Sequence, residues 1–185
     1  AENTLLRDLN LTTTTTDERR LEVVANGLTL WGGAQLAVDT TLVRPVGRDG
    51  LPSLDSDVQL GQTLTEARTT KEGTYPELLG ARRCRLVVLG IEVGGRWSAE
   101  ANDFVKRLAR HKSQEAARGV RQATQRAWLC RWTGILSVAA QRAFLTSLLE
   151  LPLAGVPLAE EEPPLHTVLE EAKWGEPPAV SRLRL

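Results

Sequence analysis

Residues 21–43 read LEVVANGLTLWGGAQLAVDTTLV, and the way they pair decides how the chain folds. Asn26-Gly27 sits between two apolar runs, and both residue types tolerate the positive φ that a two-residue hairpin turn requires. That turn pairs Ala25 with Leu28, Val23 with Leu30 and Glu22 with Trp31. Leu21, Val23, Ala25, Leu28 and Leu30 then share an apolar face, and Glu22 points to the other. Gly32-Gly33 breaks the chain before a third strand over 34–43. There Leu36 and Val38 face one way, and Gln35, Ala37, Asp39 and Thr41 face the other. Two acids, Glu22 and Asp39, therefore stand inside β-structure, where a charge is costly unless paired or liganded.

Upstream, LTTTTTDERR (11–20) is low in complexity, and residues 1–18 read as a lead-in. Downstream, RPVGRDGLPSLDSD (44–57) carries turn chemistry, and a helix is expected over 60–73 with Glu66 and Lys71 on it. CRLVVLGIEV (84–93) reads as a buried strand from its β-branched content. After the GGRW turn, Ser98 is the expected N-cap of a helix over 99–111. A longer helix is expected from Arg121 to Glu150, with Trp128, Trp132, Ile135, Leu136, Ala139, Ala143 and Phe144 as its inner stripe. The fold class is α/β: a small mixed sheet, made of a hairpin plus further strands, flanked by helices and followed by a C-terminal helical extension. The expected division is a lead-in (1–18), an α/β core (19–111), a basic helical extension packed on it (112–151) and a disordered Pro-rich acidic tail (152–185).

At 185 residues and 42% hydrophobic, the chain can bury one core with attachments. Lys+Arg and Asp+Glu number 23 each, so net charge points to no partner. The distribution does. From Phe104 to Arg142 nine Lys/Arg face one acid, Glu115, an asymmetry expected of a polyanion-facing surface or of a solvated helix face. Two cysteines, Cys84 and Cys130, form neither a zinc motif nor a disulfide framework and suit a reducing, intracellular setting, with the nucleus included in that expectation. No run reaches the ~20 apolar residues of a membrane span, so no membrane partner is expected. The chain has no methionine, even at position 1, and is expected to be a piece of a longer polypeptide.

Phosphodiester hydrolysis needs a divalent cation to neutralise phosphate and acidify water. Magnesium takes oxygen ligands and is satisfied by one or two carboxylates plus waters. A nearby lysine stabilises developing negative charge. Glu22, Asp39 and Lys71 supply that kit, with Glu22 and Asp39 as ligands to Mg²⁺ or Mn²⁺.

At these residues the sequence resembles the restriction-like endonuclease domain, of the PD-(D/E)XK superfamily, found in non-LTR retrotransposon and other reverse-transcriptase polyproteins. The matching stretches are RRLEVV (Arg19 to Val24), LAVDTTLV around Asp39, KEGTY (Lys71 to Tyr75), and LVVLGIEVGGRWSAEANDFVKRLA. They cover residues 19 to 111. The family pattern runs basic-x-Pro-Asp, hydrophobic-Asp-hydrophobic, then a helix ending Lys-x-x-Lys-Tyr. Here Leu21-Glu22 replaces Pro-Asp, Thr41 stands where many members carry lysine, and Thr74 replaces the second lysine.

The resemblance implies metal-dependent nicking of nucleic acid, DNA rather than RNA, with Glu22, Asp39 and Lys71 catalytic. Arg96, Lys106, Arg110, Arg118, Arg121 and Arg126 are the expected nucleic-acid contacts. The alternative is a catalytically inactive nucleic-acid-binding or protein-interaction module descended from such a nuclease.

Overall fold

The computed structural model describes residues 4–9, 11, 16–47, 49–53, 55–149 and 162–174. The chain divides into two compact units, with the boundary after Phe104. The protein is a mixed α/β structure, as its hydrophobic periodicity predicts.

The first unit is built on strands β1 (Thr4–Leu5), β2 (Arg20–Leu21), β3 (Val23–Ala25), β4 (Gln35–Val43) and β5 (Cys84–Glu92), with helices α1 (Gln62–Thr74) and α2 (Pro76–Leu79). Helix α3 (Ala99–Ser113) spans the boundary. The main sheet runs β3-β4-β5, with β3 antiparallel and β5 parallel to β4. In the parallel register Ala37 lies beside Leu86 and Asp39 beside Val88. These side chains share the sheet face that carries the core of Leu6, Leu9, Leu21, Ala37, Tyr75, Leu78, Cys84, Leu86 and Val88. Helices α1 and α2 cover that face. The apolar run VVL in β5 is buried on both sides, as β-branched interior strands are.

The pairing of residues 21–43 differs from the two-residue hairpin. Val23 pairs with Val38, Val24 with Ala37 and Ala25 with Leu36. Residues 26–34 form a wide connection containing a 3-10 turn over Leu30–Gly33. Burial explains the choice. Leu36 and Ala37 are fully buried and Val38 nearly so, whereas Leu28 is only half-buried, so β3 gains more by pairing with the later run. Asn26 still serves the connection, its Oδ1 accepting from Gln35 Nε2 at 2.8 Å.

The lead-in is also part of the fold in its described portion. Leu6 is fully buried, and β1 pairs with β2 through Thr4–Leu21 and Leu5–Arg20. The rest of the Thr run (12–15) lies outside the described residues.

Helix ends follow local chemistry. Pro76 disfavours helical backbone in the residue before it, so α1 stops at Thr74 and Tyr75 takes a non-helical φ −125°, ψ 57°. Pro76 then occupies the first turn of α2, where its missing N–H costs nothing. Ser98 caps α3, its Oγ accepting from the Ala101 N–H at 3.1 Å.

The second unit contains the C-terminal part of α3, α4 (Arg121–Leu148) and α5 (Leu165–Trp174). Its core is Ala109, Ala127, Trp128 and Val168, with Trp132 and Leu169 packed against it. Helix α5 falls within the stretch expected to be disordered; residues 151–161 and 175–185 lie outside the described residues. The inner stripe predicted along α4 holds only at its start. Trp128 is buried, but Ile135 is 40% exposed, Ala139 and Ala143 are exposed, and Leu136 and Phe144 are only partly buried. Ten residues of α5 span about 15 Å and 28 residues of α4 about 42 Å, so α5 can cover only about a third of it, and it packs on the N-terminal part through Ala127 and Trp128. No helix among the described residues is long and apolar enough to cross a membrane.

This packing predicts a stability contrast. Leu36→Ala, at a fully buried position, will cost ~2–5 kcal/mol in urea unfolding, whereas Val58→Ala, at a position 82% exposed, will leave the midpoint unchanged. Equal effects from the two would refute the β3–β4 register.

Candidate active site

Asp39 is only 2% exposed, in the middle of β4. The sheet turns it toward α1, and Lys71 on α1 meets it with Nζ 2.8 Å from Oδ2. No aligned hydrogen bond reaches that oxygen among the described residues, so the ammonium answers it by charge. A buried carboxylate in this position is tolerated because a cation comes with it.

Glu22 reaches the site differently. It occupies a bend between β2 and β3. Along β4, Gln35 N–H and the Val43 carbonyl engage the β5 side, so odd-numbered backbone groups face β5 and even-numbered ones face β3. Thr40 therefore directs its N–H toward the place that a straight continuation of β3 would fill. Glu22 Oε2 accepts that N–H at 3.0 Å and also the Thr40 hydroxyl. The carboxylate lies at the margin of the sheet, one residue along from Asp39, and not on the same pleat as the alternation of residues 21–43 predicts. Its Oε1 accepts no hydrogen bond among the described residues.

Tyr75 joins the two acids. The end of α1 drops its side chain into the core at 5% exposure, and its hydroxyl donates to the Arg20 carbonyl at 2.8 Å. Burial pushes the phenol up to about 12, and the charges of Asp39 and Glu22 add to the shift. The phenol is thus in electrostatic reach of both carboxylates.

A second clamp holds the same corner. Arg19 donates to the Thr74 carbonyl at the end of α1, pairs with Asp17 at 2.6 Å, and pairs with Glu77 of α2 at 2.6 Å. The hydrogen bonds that Arg19 donates to Asp17 and then to Glu77 raise the guanidinium pKa, and Arg19 lowers both acids in return. Sequence patterns give Arg19 no role beyond its basic character. Its role appears only when residues 17–20 and 74–77 meet.

The fold brings Glu22, Asp39 and Lys71 to one corner; of the expected nucleic-acid contacts, Arg96 belongs to the first unit and Lys106, Arg110, Arg118, Arg121 and Arg126 to the second. Arg96 lies 3.3 Å from Glu92, whose buried carboxylate also accepts from Thr63 Oγ1 at 3.1 Å. Arg121 donates to the carbonyls of Ala116 and Gln114 at the start of α4. Lys106 and Arg110 are exposed on one side of α3; Arg118 and Arg126 are exposed as well. At about 100° per residue, Arg121 and Arg126 lie roughly 140° apart around α4. Lys112, another member of the basic run, is neutralised by Glu115 at 2.9 Å and Glu162 at 2.6 Å.

The donor set can be weighed against a divalent cation. Among the described residues no three His, Cys, Asp or Glu side chains cluster as a metal cage. Two carboxylates remain, all-oxygen in character, each with an oxygen that takes no aligned hydrogen bond among the described residues. That set suits magnesium, which keeps waters and relies on one or two carboxylates and substrate phosphate. Comparison with known proteins finds no family model, no curated protein and no solved structure that matches the chain.

Two outcomes follow from this geometry. Tyr75 is the one tyrosine in the chain, so tyrosinate absorbance reads it alone. The folded protein will keep the phenol protonated past pH 10 and ionise it near 12, whereas the protein in urea will ionise near 10. Because the folded pKa is raised, stability is lost as pH climbs from 10 toward 12, by on the order of 2–3 kcal/mol, and Tyr75→Phe removes that slope. Lys71→Met will cost about 3–5 kcal/mol at neutral pH by leaving Asp39 unpaired. Asp39→Asn combined with Lys71→Met will recover most of it.

Proposed function

We propose that the first unit is a metal-dependent nuclease domain that hydrolyses a phosphodiester bond in nucleic acid, with DNA nicking as its activity and a reverse-transcriptase polyprotein as its setting. The observation that supports this reading best is the buried Asp39–Lys71 pair with Glu22 and Tyr75 beside it. Nothing in the packing of β4 calls for a carboxylate there. An apolar residue of similar volume in place of such a pair is commonly neutral or stabilising, so the arrangement is better explained by chemistry than by folding.

Glu22 and Asp39 would hold Mg²⁺ or Mn²⁺, which when bound neutralises phosphate charge and acidifies an attacking water. Lys71 holds the Asp39 carboxylate in place from α1 and offers positive charge to the phosphate as negative charge develops in the transition state. Tyr75 stays protonated through the physiological range. It fixes the Arg20 backbone, and with it the approach of Glu22. Thr40 orients Glu22 by donating its N–H and hydroxyl to one carboxylate oxygen, which leaves the other for a ligand.

A second reading is a nucleic-acid-binding or interaction module that has lost catalysis. One observation favours it: the Asp39 charge is already answered by Lys71, and one oxygen of Glu22 is already held by Thr40.

Nicking of supercoiled plasmid in Mg²⁺ or Mn²⁺ separates the two. The nuclease reading expects nicking that Asp39→Asn reduces by at least about a hundredfold, in line with the several kcal/mol that metal-centred charge stabilisation supplies, while DNA binding is retained. Lys71→Ala will also slow it. Nicking by Asp39→Asn at the parent rate would overturn the assignment, and absence of nicking with DNA binding intact would favour the second reading.

A further inference from the structure

Two adjoining clefts of the first unit, of about 300 Å³ and 460 Å³, meet at Trp31, Ala34, Arg82 and Cys84. Between them they are lined by Arg68, Arg82, Arg83 and Arg85 and by no carboxylate. In a chain whose charges balance at 23 each, this lining is locally basic. Arg68 is tied to Glu100 at 2.7 Å and Glu72 at 3.2 Å. Arg82, Arg83 and Arg85 are exposed, and none of them makes a salt bridge among the described residues. They come from GARRCR at the start of β5, and the register pairing Gln35 with Cys84 brings them beside the β3–β4 connection.

That connection holds Trp31 in an unusual state. Its backbone is left-handed at φ 46°, ψ 46°, followed by Gly32 and Gly33 at φ 72° and 81°. A bulky aromatic residue rarely adopts this conformation, and it is held only when its surroundings fix it. The indole is parallel to Phe104 with ring centres 6.1 Å apart, and the Arg85 guanidinium carbon lies 4.9 Å from the indole centre.

We infer that this surface binds a single-stranded segment of nucleic acid, with phosphates on Arg82, Arg83 and Arg85 and an unpaired base stacked on the Trp31–Arg85 pair. Single-strand sites combine a basic groove that follows the backbone with aromatic and guanidinium groups on which bases stack. A duplex keeps its bases stacked on one another and would use only the charge. An acidic peptide would likewise leave the indole without a role. The clefts fall within the usual volume range of ligand sites. Asp39 is four residues along β4 from Gln35, about 13 Å. A strand held here would run to the proposed catalytic corner within about four nucleotides at ~3.4 Å each. The binding does not require that corner to be active.

The test uses the full chain in EDTA, so that hydrolysis plays no part, and reads anisotropy of labelled oligo(dT) and of an abasic strand of equal length. Oligo(dT) will bind several-fold more tightly than the abasic strand. Arg82→Gln/Arg83→Gln/Arg85→Gln will weaken oligo(dT) at least tenfold and flatten the log-affinity against log-salt slope by about 2, at ~0.7 per phosphate on single strands. Trp31→Leu will remove the advantage of oligo(dT) over the abasic strand. The inference is overturned if oligo(dT) does not bind, if the triple variant binds as the parent does, or if the abasic strand binds as tightly as oligo(dT). The arginines are exposed, so the triple variant reads binding even if Trp31→Leu fails to fold.

Discussion

A carboxylate buried in the centre of a sheet must be answered by a cation, and here the cation comes from the next helix along the chain. The 2.8 Å contact between Lys71 and Asp39 therefore constrains much else. α1 must lie across β4 in one rotation, so that Lys71 and not a neighbour faces the sheet. It must stop where Pro76 stops it, so that Tyr75 turns inward. The chain before β3 must approach the end of α1, where Arg19 reaches the Thr74 carbonyl and Tyr75 reaches that of Arg20. Loosening any of these contacts leaves a charge in a low-dielectric interior without its partner, which is more destabilising than the pair is stabilising.

The same contacts bring Glu22 to the corner. It is not carried there by strand alternation. β2 leaves the sheet to pair with β1, the bend at Glu22 opens a gap beside Thr40, and the carboxylate takes the backbone N–H that a longer β3 would have covered. One side chain thus repairs the edge of the sheet and stands beside the proposed site. Such a double use explains how an acid can be retained at a sheet margin, and it fixes one oxygen while leaving the other uncommitted.

Much of the fold was legible because its elements carry strong periodic signals. β4 was expected over 34–43 and spans Gln35–Val43; β5 was expected over 84–93 and spans Cys84–Glu92. The Ser98 cap and α3 were readable from one hydroxyl before an amphipathic run. The hairpin was not, because Asn26-Gly27 is a local signal and the burial of Leu36 to Val38 is a long-range one that outweighed it. β1 lay hidden in a polar lead-in, since two residues of strand have no period. Along α4, apolar spacing marked a face without saying how far a partner would reach.

The candidate site was legible as residue types and order, and Asp39 and Lys71 do meet. Tyr75 was visible only as part of KEGTY, and its place between two acids follows from the break at Pro76. The basic run from Phe104 to Arg142 shows the limit of charge counting: Lys112, Arg121 and Arg131 are each engaged within their own unit, by Glu115 and Glu162, by backbone carbonyls and by Glu171. The central claim is that Glu22 and Asp39 together hold a divalent cation, and titration with Mn²⁺, followed by loss of the free-ion paramagnetic resonance signal, tests it most directly. The account predicts one bound Mn²⁺ that Mg²⁺ displaces and that Asp39→Asn and Glu22→Gln each abolish; binding that persists unchanged in both variants, or no binding by the parent chain, would contradict it.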